Sequence, residues 1–263
     1  MVEKVSRSNV LSISHWKDLD GVASAAIIGR YADRTRRGFK VYLTEPYLFH
    51  SVLIRILKSG VSGSEIIISD IGPNNRIFGK AISLLAAIKK RGNTIIWIDH
   101  HLWSEDQISS ARNVVNELII DTSKCAAMLV YERFGEGDEF SKRLAELATD
   151  ADFWIRKIDL SIKLCKVLAS GYSRERLISK FREGILWDSE LESVYSRRVE
   201  REKVLLEKAI RKLREYKVDN LRIAVILAEI SAGEITEILA ERGYDIIAVV
   251  SKKGHVSLRR GNN

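Results

Sequence analysis

The sequence predicts an α/β fold: a parallel-sheet domain with flanking helices, a long connector helix and a small C-terminal α/β domain. Three observations predict it. Short β-branched runs, apolar almost throughout, recur along the first 150 residues, as in strands covered on both faces. Helical periodicity fills the intervals between them, and parallel neighbours need such crossovers. From about residue 140 the helical period takes over, and strand signals return only near residue 220.

Each element has its own signal. Val10–Ser14 (VLSIS) is an apolar run ending at a polar cluster, and Ala23–Ala32 reads as a helix. Lys40–Leu43, Ile66–Ser69, Thr94–Ile98 and Asn113–Ile120 are β-rich runs bounded by turn residues. Leu84–Lys90 and Lys124–Phe134 supply helices, the second behind Asp121-Thr122-Ser123 as an N-cap signal. Residues 140–185 are helical in period. Glu190–Tyr216 reads as one long charged helix, with Leu191, Tyr195, Val199, Leu206, Ile210 and Leu213 on one face and a dense run of Arg and Lys opposite. Leu221–Leu227, Ile246–Val250 and His255–Arg259 are strands around a helix at Ser231–Arg242. The domains expected are 1–187, a connector at 188–218, and 219–263.

Composition narrows the function. A chain of 263 residues buries a core large enough to need no disulfides. No apolar run approaches the ~20 residues of a membrane span, and MVEKVSRSNV is no signal peptide, so a cytoplasmic protein with no membrane partner is expected. Two cysteines, Cys125 and Cys165, are too few for a disulfide scaffold or a four-thiolate zinc site. The net charge of +8 suits a phosphate-bearing partner. Gln107 is the single glutamine, and few thermolabile residues among many charges resemble a thermophile's composition.

The chemistry gathers at strand ends. The first strand runs into His15-Trp16-Lys17-Asp18-Leu19-Asp20-Gly21, the third into Asp70, and the fourth into Asp99-His100-His101. Ligands of open α/β sheets bind at the carboxyl ends of strands. Carboxylates brought together there raise one another's pKa unless a cation neutralises them. Carboxylates with one or two imidazoles and no thiolate form a hard O/N donor set suited to Mn²⁺ or Mg²⁺. His50 and His255 fall outside these segments and read as surface or structural.

SHWKDLDGVASAA (14–26), IIISDIGPN (66–74), WIDHH (97–101) and ELATDADFW (146–154) together resemble the motifs of the DHH phosphoesterase superfamily, of RecJ-like exonuclease and nano-RNase type. DTSKCAAMLVYERF (121–134) is similar to the helix after the Asp-His-His motif. Leu221–Arg259 is similar to the start of the DHH-associated C-terminal domain. The resemblance makes 1–187 a catalytic domain and 219–263 a partial substrate-binding domain. It implies a two-metal site, with two Mn²⁺ ions, or Mg²⁺ in their place. His15 and Asp18 would hold one ion, Asp70 would bridge, and Asp20, His100 and Asp150 would hold the other. Of Asp150 and Asp152, Asp150 is favoured because it directly follows the apolar segment ELAT. Asp99 would orient the neighbouring histidine, His101 would meet a substrate phosphate, and Arg259 in SLR would clamp a terminal phosphate or base. The catalytic set so implied is Asp70, Asp99, His100 and His101.

The activity implied is Mn²⁺-dependent hydrolysis of single-stranded DNA or short RNA oligonucleotides from an end. The alternatives are a non-catalytic RecJ-like scaffold of the replication machinery and a phosphodiesterase of small (cyclic) dinucleotides. The partners that go with these readings are single-stranded nucleic acid, a second copy of the chain, or a replication protein. Trp16 and Trp103 are the tryptophans expected in the cleft, with Trp97 and Trp154 walling the core beside it. Arg34, Arg36, Arg37 and the connector helix are the basic groups placed to track a phosphate backbone.

Overall fold

The computed structural model describes residues 9–230 and 232–261. The chain divides into two compact units after Leu191. Among the described residues no helix is long and apolar enough to cross a membrane.

The first unit carries five strands: β1 (Val10–His15), β2 (Phe39–Thr44), β3 (Glu65–Ser69), β4 (Thr94–Asp99) and β5 (Glu117–Ile120). They form one parallel sheet in the order β2-β1-β3-β4-β5. This is a doubly wound order, and its switch point lies between β1 and β3. The register aligns the carboxyl ends: Ser14 sits opposite Ser69, Ser69 opposite Ile98, and Asp99 opposite Ile120. The loops after β1, β3 and β4 therefore open side by side.

Helices cover both faces of this sheet. They are α1 (Leu19–Arg34), α2 (Phe49–Lys58), α3 (Phe78–Lys89), α4 (Glu105–Arg112), α5 (Ala126–Val130), α6 (Glu139–Asp152), α7 (Asp159–Ala169) and α8 (Arg174–Arg182). Helix α1 is buried over most of its length, because Ala23, Ala25, Ala26 and Gly29 let neighbours approach closely. A Cβ on Gly29 would come within 2.5 Å of Arg182 Cδ. One core layer joins Ile13, Ile66, Ile68, Ile95 and Trp97 of the sheet to Leu53, Ile56, Leu85 and Ile88 of α2 and α3. Asp121 does not cap the next helix. Its carboxylate accepts from the Ser123 backbone and hydroxyl instead, closing a local turn.

The second unit contains most of α9 (Ser189–Ile210) and then β6 (Arg214–Val218), β7 (Leu221–Leu227), α10 (Ala232–Glu241), β8 (Ile246–Val250) and β9 (Val256–Arg260). Its sheet has the order β6-β7-β8-β9, with only the β7–β8 pair parallel. The long helix expected at 190–216 thus ends at Ile210. Residues 214–218 (REYKV) alternate in the strand period and pair antiparallel with β7, register Val218–Leu221 across a tight turn. A hairpin partner two residues away overrides the helical tendency of the charged run. Ser231, expected to open the next helix, lies outside the described residues.

Candidate metal centre

Close passes of backbone position the acidic groups. After β1 the chain turns at Asp18, which is the N-cap of α1 and accepts from the Gly21 N–H at 3.2 Å. A Cβ at Gly21 would stand 2.2 Å from the His15 carbonyl oxygen, so only glycine lets the helix start against the strand end. After β3, Asp70 adopts a left-handed backbone with φ of 56°. Such a conformation is uncommon outside glycine, though aspartate tolerates it, and it persists where surrounding structure enforces it. Two residues on, Gly72 leaves room for the His101 ring from the loop after β4, whose Cγ would lie 2.9 Å from an added Cβ.

Two donor groups result, each with its ligand atoms within 4.8 Å of one another: His15, Asp18 and Asp70; and Asp20, His100 and Asp152. A third grouping of Asp70, His100 and His101 overlaps both. His15 Nδ1 lies 3.0 Å from Asp18 and 3.3 Å from Asp70. His100 Nε2 lies 3.5 Å from Asp70 and 3.6 Å from Asp20, and its Nδ1 is 3.7 Å from Asp152. Asp70 is thus next to both imidazoles. Its Oδ2 is buried, accepts no well-aligned hydrogen bond and faces His15 Nδ1 at 3.3 Å. A buried carboxylate oxygen so poorly bonded is costly, and a cation on that oxygen would remove the cost.

Asp20 is 1% exposed and accepts from the backbone N–H groups of Ala126 and Ala127, at 2.8 and 2.7 Å. It therefore caps α5 from across the site, the role that Asp121 does not fill. Glu45, one residue beyond β2, holds His15 Nε2 at 3.2 Å and so directs Nδ1 toward Asp18 and Asp70. A ligating histidine held through its other nitrogen by a carboxylate is a recurrent arrangement. Glu45 was not singled out in the sequence. Its one signal was an acidic residue beyond a strand's carboxyl end, beside a proline.

The fourth motif needs correction. Asp150 is 3% exposed and its carboxylate turns away, accepting from Lys157 N at 2.9 Å, Ile158 N at 3.3 Å and the Ser161 hydroxyl. It pins the loop into α7. Asp152, on the same last turn of α6, reaches the His100 group instead. Following an apolar helical segment made Asp150 the more buried of the two, and burial here serves a structural bond.

Asp99 is fully buried and holds His101 rather than His100. Its carboxylate accepts from His101 Nδ1 at 2.9 Å, from the His101 backbone at 3.2 Å and from Trp103 Nε1 at 2.7 Å. Trp103 packs edge-on against Trp97, 4.8 Å between centroids, so it belongs to the wall rather than the open cleft. Trp97 is in the core as expected. Trp154, expected in that wall, is 59% exposed, and Trp16 is 40% exposed with the Arg174 guanidinium 4.9 Å from its ring centroid. Arg37 pairs with Glu65 at the opposite end of the sheet, and Arg34 bonds the Phe134 carbonyl and lies 3.7 Å from Asp138. These arginines do not reach the strand ends that carry the site. Arg259 is an exposed residue of β9, paired with Ile247 in the second unit.

The electrostatics are those of a site short of positive charge. Burial alone pulls the His15 imidazole down, yet its bonds and charge contacts with Asp18 and Asp70 outweigh this and raise it to about 11. His100 is likewise lowered by burial but raised to about 9 by Asp70, Asp20 and Asp152. Asp20 is pushed well above the carboxylate range by burial, then by the charges of Asp70 and Asp152. Asp152 is also raised, first by burial. Burial raises Asp18 too, but the His15 contact more than reverses that and holds it low. The carboxylates thus favour protonated imidazoles, the same charge demand that a divalent cation would meet. Oxygen and nitrogen donors without sulfur fit Mn²⁺ or Mg²⁺.

The profile of the DHH family's N-terminal domain matches residues 9–151. No curated protein matches this chain. A solved structure of an uncharacterized protein from Helicobacter pylori G27 is similar, with TM-score 0.51 and 17% identity over 97% of this chain and 86% of that one. RecJ from Thermus thermophilus, solved in complex with Mn²⁺, gives 0.53 and 17% over 97% of this chain and 45% of RecJ. CDC45 from Entamoeba histolytica gives 0.51 and 7% over 92% and 81%. At these identities the likeness is one of fold.

Proposed function

The chain belongs to the DHH family, a family of phosphoesterases, and from that premise we propose that it is a Mn²⁺-dependent phosphodiesterase. Its substrates are single-stranded DNA or short RNA oligonucleotides, hydrolysed from an end. The observation that carries this reading is Asp70: one buried carboxylate that faces both imidazoles, one from each oxygen, with no well-aligned hydrogen bond on Oδ2. His15, Asp18 and Asp70 would hold one ion, and Asp20, His100 and Asp152 the other, with Asp70 between. Two divalent ions in such a site activate water and neutralise charge on an in-line phosphoryl transition state.

The chain's own residues do the rest. Asp99 takes the Nδ1 proton of His101 as a hydrogen bond and so leaves Nε2 for a phosphate oxygen. The His101 imidazole is raised above its ordinary value by that bond, burial opposing, which favours the charged form that would meet a phosphate. Its side chain is 47% exposed, in reach of substrate. Beside it, Pro46, Pro73 and Leu102 wall a pocket of about 520 Å³ that His100 and His101 also line, large enough for a nucleotide. The net charge of +8 favours a polyanionic substrate. The same acidic set argues against a purely scaffolding role, which needs no group of carboxylates gathered around two imidazoles.

The test is cleavage of end-labelled single-stranded DNA and RNA of two to about twenty nucleotides by metal-stripped protein, with Mn²⁺, Mg²⁺ or nothing returned. Mn²⁺-dependent release of nucleotides that Asp70→Ala abolishes is the expected result. Intact substrate under every metal would overturn the reading.

A further inference from the structure

Among the described residues, every large apolar side chain of the first unit that is more than a third exposed lies at the edge of the sheet that carries the acidic groups. Trp16 follows β1, Tyr47 and Leu48 follow β2, and Leu102 follows β4. The other cluster is consecutive: Phe153, Trp154 and Ile155, 42, 59 and 46% exposed, directly after Asp152. Phe153 stands edge-on to the His100 ring, 6.5 Å between centroids.

This triplet is held in place by the chain around it. Trp154 and Arg156 both have left-handed backbones, φ of 54° and 55°. Such conformations cost on the order of 1 kcal/mol or more each and survive only where neighbours impose them. Asp150 imposes them. Its carbonyl accepts from Ile155 N at 3.0 Å and Arg156 N at 3.3 Å, while its buried carboxylate accepts from Lys157, Ile158 and Ser161. The Arg156 guanidinium lies over the Trp154 indole, 4.8 Å from its centroid. A buried carboxylate therefore fixes a strained loop that presents aromatic surface and a stacked cation beside the groups proposed to act on phosphate.

We propose that the 153–156 loop is a base-stacking platform: Trp154, backed by Arg156, stacks on a nucleobase of a single-stranded substrate whose phosphate lies at the acidic centre. This rests on the nucleic-acid reading above and names the part of the substrate recognised. Aromatic surface serves bases of any sequence, and a guanidinium on the ring adds attraction for the phosphate backbone. Polyphosphate or pyrophosphate would find nothing to stack.

The experiment uses the full chain without added metal and two dye-labelled strands of equal length, one of oligothymidine and one a base-free deoxyribose phosphate. Wild type should bind the base-bearing strand more tightly. Trp154→Ala should weaken that strand about tenfold or more, the range of a lost base–aromatic stack, and leave the base-free strand nearly unchanged. Trp154→Phe should recover most of the difference, and matching melting curves will show that the variants fold. Equal loss on both strands, no loss on either, or wild-type indifference to the bases overturns the proposal. Mn²⁺-dependent hydrolysis of bis(p-nitrophenyl) phosphate by wild type reads the proposed chemistry separately. Hydrolysis without base preference sinks only the platform, and base preference without hydrolysis sinks only the phosphodiesterase.

Discussion

The Glu45 carboxylate lies 3.2 Å from Nε2 of His15, so the ring presents Nδ1 to Asp18 and Asp70. A loop beyond an edge strand thereby fixes the orientation of a side chain on the strand beside it. Outer partners of this kind are worth about 10- to 100-fold in metal affinity. Glu45→Ala should weaken Mn²⁺ binding by that order in a calorimetric titration, with the fold unchanged. Equal affinity in the two proteins would remove Glu45 from the account.

Asp150 and Asp152 should separate cleanly. Asp150→Ala strips the acceptor from the Ser161 hydroxyl and two backbone N–H groups in a buried place, a loss of about 1–3 kcal/mol per orphaned group. Its melting temperature should fall well below wild type. Asp152→Ala should melt near wild type and lose Mn²⁺ affinity. The reverse pattern in melting and titration would return Asp150 to the metal.

Gly21→Ala places a methyl group 2.2 Å from the His15 carbonyl. The strand end or the start of α1 must move, at about 1–3 kcal/mol for an overpacked site. Both melting temperature and Mn²⁺ affinity should drop, because the shift passes through His15. A variant with wild-type affinity would show that the turn relaxes elsewhere.

Away from the site, Arg30 grips Asp138 through two parallel bonds of 2.7 and 2.9 Å. Burial raises the Asp138 carboxyl, but Arg30 and Ser141 outweigh it and bring it from 3.8 to about 2. A depressed carboxyl contributes stability that is fully present above its unfolded pKa and is lost as pH falls through the folded one. Asp138→Asn should therefore be less stable by about 2 kcal/mol at pH 6. The gap in denaturant melts should close between about pH 4 and pH 2. A gap constant down to pH 2 would mean that the pair contributes through packing alone.

Much of this was legible in the residues. The β-branched runs at 66–69 and 94–98 can hardly sit anywhere but in a covered parallel sheet, and their positions fix which acidic residues share an edge. Helix α2 carries Phe49, Val52, Leu53 and Ile56 at helical spacing, but no capping signal marks its start, and the sequence reading passed over it. The end of α9 differs from the sequence expectation because a hairpin, a non-local pairing, decides the fate of 214–218. The sequence preference for Asp150 over Asp152 failed because two residues on one helical turn differ in the direction of their side chains. That direction is set by Ser161, eleven residues on. Glu45 was missed because a lone acidic residue after an edge strand looks like any turn.

The shared carboxylate of Asp70 is the centre of the account, and a count of bound Mn²⁺ tests it most directly. Titration of metal-stripped protein, followed by calorimetry and by electron paramagnetic resonance, should show two ions per chain with the spin coupling of a bridged pair. Asp70→Ala should lose that coupling and at least one ion. Two uncoupled ions in wild type, or a coupled pair that survives Asp70→Ala, would contradict it.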